Sequence, residues 1–455
     1  MQSEHRHYTS PLAQRYASPA MSHLFSEEHK AKTWRLIWIY LADEQRKLGL
    51  PISKTQVKAL ERAQDSINLK RVATWEAKLK HDVMAHLKAF AEKAPAAEPI
   101  LHLGATSAFI TDNAEALIHR DALVMIHAKL ASVLKVLHDQ MLKYAALEMT
   151  GYTHFQPAQP VTLGKRLALW AQDLLADAQE IEHYLNLYRP LGCKGTTGTQ
   201  ASFVVLFGND RQKVQRLDLA VVRRMGFSKP VALSGQTLSR RSDVAMLNVL
   251  AHIASSLSKL SYDMRLMQHT GEVREPFGKH QVGSSAMPYK QNPMAAERMT
   301  GMARFVITLA HNAQWTHAVQ WLERSLDDSS NRRLVIPEAF LATDALCDAA
   351  FRILSGIRVD EAAIKRHLNR YREMFESEAM MMEETLKGGS RQELHEKIRQ
   401  DSVAGRLKVK ESRWPLSGAA EHQVLDFARR ELKPWLRRNE KALKRSKEMI
   451  QKASV

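Results

Sequence analysis

The chain has 455 residues, 45% of them hydrophobic and 25% charged, the balance of a folded globular protein rather than a disordered one. Its net charge of +17 favours anionic partners: nucleic acid, a membrane surface or polyanionic small molecules. Two widely spaced cysteines, Cys193 and Cys347, exclude a disulfide framework and a zinc ribbon and fit a reducing compartment, the cytoplasm.

Lys or Arg interrupts each apolar run, so no membrane span is expected. The first residues, "MQSEHRHYTSPLAQRYAS", lack the apolar region of a secretory signal, and "QKASV" at the end matches no retention or lipidation motif. Cys193 sits beside Lys194, which could lower its thiol pKa, but it reads as a buried structural residue.

Nearly every periodic segment predicts helix. After the break "GLPISK" (49–54), Ser53 and Gln56 have capping-box spacing. "KHDVMAH" follows, with His81 and His86 five residues apart; metal ligands on one helix face would be four apart, so zinc is rejected. Asp82 beside His81 is equally compatible with a plain surface pair. Further breaks fall at "APAAEP" (94–99) and "TGYTHFQPAQP" (150–160). From Thr162 the residues Leu163, Leu167, Trp170, Leu174, Ala178 and Ile181 form a helical stripe.

"RPLGCKGTTGTQ" (189–200) contains a basic Gly/Thr loop that could cradle a phosphate or simply turn between helices. It is neither a dinucleotide fingerprint nor a P-loop. The following "SFVVLF" (202–207) is the best strand candidate in a chain otherwise poor in alternation.

"GSSAMPYKQNPMAAERM" runs from Gly283 to Met299. A serine hydroxyl is a poor base unless a positive environment stabilises its alkoxide. Lys290 and the N-terminus of a helix opening at Asn292 could both supply that environment. Asn292 is expected to cap the helix, with Pro293 at its first position and Glu297 about one turn in. Met302, Phe305, Val306, Leu309 and Ala313 continue it.

In "LERSLDDSSNRR", Arg324, Ser329 and Arg333 suit bidentate phosphate or carboxylate binding. A helix end salt-bridged to Asp327 and Asp328 fits the same pattern. "LKGGSRQ" (386–392) is the last clear break, and Ser390 with Glu393 repeats the capping spacing. The basic run "ARRELKPWLRRNEKALKRSKEMIQK" reads as a solvated helix face, without the aromatic interleaving of a nucleic-acid binder. The fold class predicted is all-α.

The full Gly-Ser-Ser-x-Met-Pro-x-Lys-x-Asn-Pro run resembles the signature of the fumarase/aspartase superfamily. "SPLAQRYAS", "KHDVMAH", "HLGATS", "GYTHFQPAQP", "KGTTGTQASF", "GQTLSRR", "LERSLDDSSNRR" and "KGGSRQELHEKIR" narrow the resemblance to the adenylosuccinate lyase family, in its animal form. The likeness spans about residues 10–399. Gln291 departs from that pattern, which has arginine there, and Arg274 stands where it has an acidic residue.

The resemblance implies three helical domains, residues 1–106, 107–359 and 360–455, with a central long-helix bundle that joins other subunits in a homotetrameric core. It implies elimination of fumarate from succinyl-bearing purine nucleotides, without metal or organic cofactor. Ser284 is then the base, Lys290 stabilises the carbanion, His154 is the general acid and Glu297 orients its ring. Arg15, Tyr16, Lys80, His81, Asp82, Thr106, Ser107, Gln236, Asn292, Arg298, Arg324, Ser329 and Arg333 contact substrate. Because these positions range from residue 15 to residue 333, the resemblance implies pockets shared between subunits. Competing expectations are a sister lyase acting on argininosuccinate, aspartate or malate, and a catalytically silent helical nucleic-acid-binding protein.

Overall fold

The computed structural model describes residues 8–411 and 415–444. The N-terminal part opens with a π-helical turn, Leu12–Tyr16, followed by α1 (Pro19–Leu24), α2 (Glu27–Lys47), α3 (Lys54–Ala63), α4 (Leu69–Leu79) and α5 (Asp82–Ala91). Short polar residues start these helices: Ser18, Ser26, Ser53 and Asn68 each accept a hydrogen bond from a first-turn N–H. The box at Ser53 closes both ways, with Gln56 Oε1 taking the Ser53 N–H at 2.9 Å and Ser53 Oγ taking the Gln56 N–H at 3.1 Å. Ser390 caps its helix by accepting the Glu393 N–H at 3.4 Å.

The central part comprises α6 (Ser107–Lys143), β1 (Glu148–Thr153), β2 (Gln156–Thr162), α7 (Leu163–Leu187), α8 (Ala201–Leu206), α9 (Arg211–Arg224), α10 (Arg241–Thr270), β3 (Val273–Arg274), α11 (Met294–Ala318) and α12 (Asp328–Ser355). Helices α6, α7, α10, α11 and α12 pack side by side as a bundle. Leu163, Leu167, Trp170, Leu174, Ala178 and Ile181 all lie buried in its core, as their spacing predicts. The 37 residues of α6 span about 55 Å at 1.5 Å per residue. Ala108–Leu117 of α6 belong to the core shared with α2, α3, α5 and α9, and Ile118–Met141 to the bundle core. One helix thus ties the N-terminal core to the bundle.

Three local expectations are corrected. The strand candidate at 202–207 is helical, as α8 and its C-cap Phe207. Phe203 and Phe207 are buried, so the short apolar run reflects docking rather than alternation. By length and composition α10 could cross a membrane, contrary to the charge-interruption argument. Its Met246, Leu250, Ile253, Ala254, Leu257 and Leu260 fill the bundle core, which accounts for the apolar run. Finally, α11 begins at Met294 and Asn292 does not cap it. The Asn292 amide instead donates to the Gly283 carbonyl at 2.8 Å, and the capping oxygens come from Glu275.

β4 (Arg358–Val359) pairs with β3 and leads into α13 (Glu361–Arg370), α14 (Arg372–Leu386), α15 (Arg391–Val403), α16 (Ala420–Phe427) and α17 (Lys433–Arg438). The basic run is amphipathic as far as it is described. Arg429, Arg430, Arg437 and Arg438 face solvent, while Leu432, Trp435 and Leu436 enter the bundle core. Residues 445–452 of that run lie outside the described residues. The Trp435 ring sits 5.5 Å from that of His127 on α6. Trp435→Ala is expected to cost about 3–5 kcal/mol in urea unfolding through the cavity it leaves. Trp435→Phe should cost less than half as much, because the buried indole N–H has no partner to lose.

Candidate active site

The expected site residues fall into three groups on one chain. The first gathers where α5, α6 and α12 begin. Lys80 ends α4 in the left-handed region (φ 53°), leaving His81 alone between α4 and α5. His81 Nδ1 accepts the Met84 N–H at 3.4 Å, which turns Nε2 toward Ser107 Oγ, 3.4 Å away. Asp82 is ion-paired with Arg333 of α12. Thr106 Oγ1 caps α6 through the Phe109 N–H at 3.3 Å. Lys80, His81, Asp82, Thr106, Ser107 and Arg333 therefore share one surface.

A histidine that pattern reading passed over joins this group. His102, inside the quoted "HLGATS", accepts the Trp38 indole N–H on Nδ1 at 3.0 Å. Burial, followed by the charge of His81, pushes its pKa down to about 4. A neutral His102 with hydrogen on Nε2 is a donor fixed in tautomer by a tryptophan. The only sequence signal was its place in a motif already singled out.

Beneath the group lies a buried ion network. Arg240 joins Asp112 of α6 to Asp328 of α12, and Arg324 reaches Asp328 at 3.1 Å. The Leu238 N–H donates to Asp112 at 2.7 Å, which sets the neighbouring Gln236. Gln236 in turn bonds the Glu323 carbonyl through its backbone and the Thr196 carbonyl through its side chain. Burial is the largest influence on Arg240 and pulls its pKa down, but the charges of Asp112, Asp243 and Asp328 together outweigh it and leave the guanidinium ionised. The salt-bridged reading of "LERSLDDSSNRR" is seen at Asp328, which pairs with Arg324, while Arg333 pairs with Asp82. Arg324 is held by Asp328, and Ser329 follows half-buried on α12.

The Gly/Thr loop packs against this group. A Cβ on Gly198 (φ 79°) would meet the Ser234 carbonyl oxygen at 1.9 Å, so only glycine allows the loop to lie that close. Asp218 anchors the loop's root by accepting from the Cys193 N–H at 2.7 Å and from the Lys194 ammonium. Cys193 is fully buried and burial pushes its thiol pKa up, as a structural cysteine requires.

The second group surrounds the signature loop. Ser284 Oγ accepts the N–H groups of Ala286 at 3.4 Å and Met287 at 3.1 Å. Two donors on one hydroxyl oxygen favour its negatively charged form. Lys290 is exposed, and among the described residues no ion pair engages its ammonium. Glu297 and Arg298 project from the first turns of α11, both exposed. The Arg298 guanidinium lies 5.5 Å from the Tyr16 ring centroid, and that of Arg15 lies 5.8 Å away. Arg15, Tyr16 and Arg298 therefore meet at the base of the loop.

Gly283 and Asn292 close that loop. A Cβ on Gly283 would fall 2.2 Å from the Lys290 carbonyl oxygen. Gly283→Ala must therefore push Ser284 and Lys290 apart. Steady-state assays are expected to show kcat reduced roughly 10–100-fold, with the far-ultraviolet dichroism unchanged.

The third group is His154 alone. Residues 148–162 form an antiparallel hairpin, with Thr153 paired to Gln156 and a bulge at Gly151. The sequence break at 150–160 is therefore ordered strand, tolerating Pro157 and Pro160 because a two-stranded ribbon has open edges. His154 (φ 52°) and Phe155 (φ 57°) fill the two-residue turn, where positive φ at both positions usually selects Asn-Gly. His154 is exposed at the tip. Among the described residues no hydrogen bond or ion pair joins it to Ser284, Lys290 or Glu297.

Residues 16–308 match the model of a lyase family. Adenylosuccinate lyase of Schizosaccharomyces pombe is 43% identical over 412 residues, covering 89% of this chain and 84% of that protein. The chain belongs to the adenylosuccinate lyase family. The Saccharomyces cerevisiae member of the family is also 43% identical, over 413 residues, 90% of this chain and 85% of its own. Among solved structures, the 3-carboxy-cis,cis-muconate lactonizing enzyme of Pseudomonas putida superposes with a TM-score of 0.77 at 25% identity, covering 96% of this chain and 99% of that one. The long-helix bundle is thus an architecture this family shares with that enzyme.

Proposed function

We propose that this chain cleaves adenylosuccinate to AMP and fumarate, and succinylaminoimidazole carboxamide ribotide to the carboxamide ribotide and fumarate, in purine biosynthesis. The observation that carries this reading is 43% identity to two adenylosuccinate lyases across about nine-tenths of the chain.

The chemistry is that of a carbon–nitrogen lyase of the amidine-lyase type, working by general acid and base. The Ser284 alkoxide takes the proton from the succinyl carbon beside a carboxylate. The electron pair left behind forms the fumarate double bond as the C–N bond breaks, and His154 protonates the departing nitrogen. Lys290 and the two N–H groups on Ser284 supply the positive surroundings that the alkoxide and the carbanion need. Proton transfers alone balance this reaction, so it requires no cofactor. The first group offers Arg324, Ser329 and Arg333, with Lys80, His81, Thr106, Ser107 and Gln236, to phosphate and carboxylates. Arg15, Tyr16, Asn292 and Arg298 line the signature loop from the other side.

Among the described residues no hydrogen bond or ion pair links the three groups, which fits a homotetramer in which each pocket draws on several subunits. Exposed Trp315, Val319, Trp321, Leu322 and Leu326 around the α11–α12 turn fit burial in such an assembly. Both cysteines are buried free thiols, which supports a cytoplasmic setting.

The test is incubation of purified protein with adenylosuccinate, following loss of its absorbance and appearance of fumarate. Stoichiometric release is expected. Release only from argininosuccinate, aspartate or malate would reassign the substrate, and salt-sensitive RNA binding without any fumarate would replace catalysis altogether.

A further inference from the structure

Helix α11 carries Glu297 and Arg298, yet its own sequence provides no side-chain cap. Pro293 occupies the N-cap position, and Asn292 is engaged with Gly283. Two first-turn donors are taken by a residue some twenty positions earlier. Glu275 Oε1 accepts the Ala295 N–H and Oε2 the Ala296 N–H, each at 3.0 Å. That carboxylate is only 4% exposed. It therefore acts as a borrowed cap, and its charge opposes the positive end of the helix dipole.

The borrowed cap stands on a rigid base. The Glu275 N–H donates to Gln268 Oε1 at 3.1 Å, and the Gln268 amide donates to the Gln291 carbonyl at 2.8 Å. Val273 pairs with Val359, the Asp360 N–H bonds the Glu272 carbonyl at 2.9 Å, and Arg358 bonds the Phe277 carbonyl at 2.7 Å. Pro276 packs so closely on Gly356 that a Cβ there would lie 2.8 Å from the proline ring. Residues 272–277 are thus clamped to the α12–α13 junction. From that clamp Glu275 holds the start of the helix, while Gln268 of α10 holds the end of the signature loop.

We propose that Glu275 is a positioning residue for the elimination. Its carboxylate fixes the junction at 291–296 and with it the placement of Ser284 and Lys290 on the loop relative to Glu297 and Arg298 on α11. Glu275 touches none of the reacting groups itself. With the dipole of α11 neutralised at its origin, the positive field at Ser284 rests on Lys290 and the two loop N–H groups. This inference builds on the lyase reading above.

The experiment compares full-length wild type, Glu275→Ala and Glu275→Gln below their melting temperatures. Glu275→Ala should lose kcat roughly 10–100-fold with KM for adenylosuccinate within about twofold, the signature of misplaced reacting groups rather than lost binding. Glu275→Gln keeps one acceptor oxygen and should recover part of that loss. Amide hydrogen exchange over residues 283–300 should accelerate in Glu275→Ala, while exchange in α6 stays unchanged. Wild-type kcat in folded Glu275→Ala, or unchanged exchange at 283–300, overturns the proposal. A wild-type protein that releases no fumarate overturns the lyase reading instead, and the exchange comparison still decides whether Glu275 holds the junction.

Discussion

Ser284→Ala is expected to release fumarate roughly 10²–10⁴-fold more slowly than the unaltered protein, the range a positioned general base contributes. Ser284 Oγ alone receives the Ala286 and Met287 N–H groups, and removing it leaves those donors facing solvent. His154→Gln should lose turnover to a similar extent, because the amide keeps the side-chain reach but cannot deliver a proton at neutral pH. Product binding, measured by AMP titration, should persist in both variants, since the side chains proposed to bind the anionic groups lie in the first group. Mixing the two variants after dissociation should restore part of the activity through pockets assembled from one intact loop and one intact hairpin. Full activity in Ser284→Ala removes the base assignment, and no recovery after verified subunit exchange removes the shared pocket.

The second large effect is on stability. Arg240 is nearly inaccessible, as are Asp112 and Asp328, the carboxylates it bridges. Arg240→Met leaves Asp112 without its cation and Asp328 with only Arg324, and should cost about 3–5 kcal/mol in guanidinium unfolding. Arg240→Met combined with Asp112→Asn should recover part of that loss, because much of it is an uncompensated buried charge. The same network aligns Gln236 through the Leu238 N–H and orients Arg324 through Asp328. In the fraction that remains folded, KM should therefore rise roughly tenfold, consistent with a lost polar binding contact. A single variant with wild-type unfolding free energy would show that the network is not under the tension its burial implies.

Helix starts were legible at Ser53 and Ser390, where the cap lies in the same segment. They were illegible where the cap is supplied from a distance, as Glu275 does for α11. Local spacing encodes contacts three or four residues away, and no periodicity reports a carboxylate arriving from another element. Residues 202–207 failed for a related reason. A short apolar run fits strand or helix equally, and the docking of Phe203 into the N-terminal core decides between them. The hairpin at 148–162 was hidden by its prolines and by a His-Phe turn in place of Asn-Gly. The candidate site divided in the same manner. Motifs marked its residues, while His102 emerged only from its contact with Trp38.

By itself the sequence determined the all-α class, the stripes that bury the central helices and the kinship carried by the signature loop. These are properties of local periodicity and of residue order along the chain. Tertiary structure alone decided that Arg240 would bind three elements together and that Asp82 would meet Arg333. Such relations depend on how the helices pack, and packing is settled by the summed burial of side chains far apart in the chain rather than by any one segment.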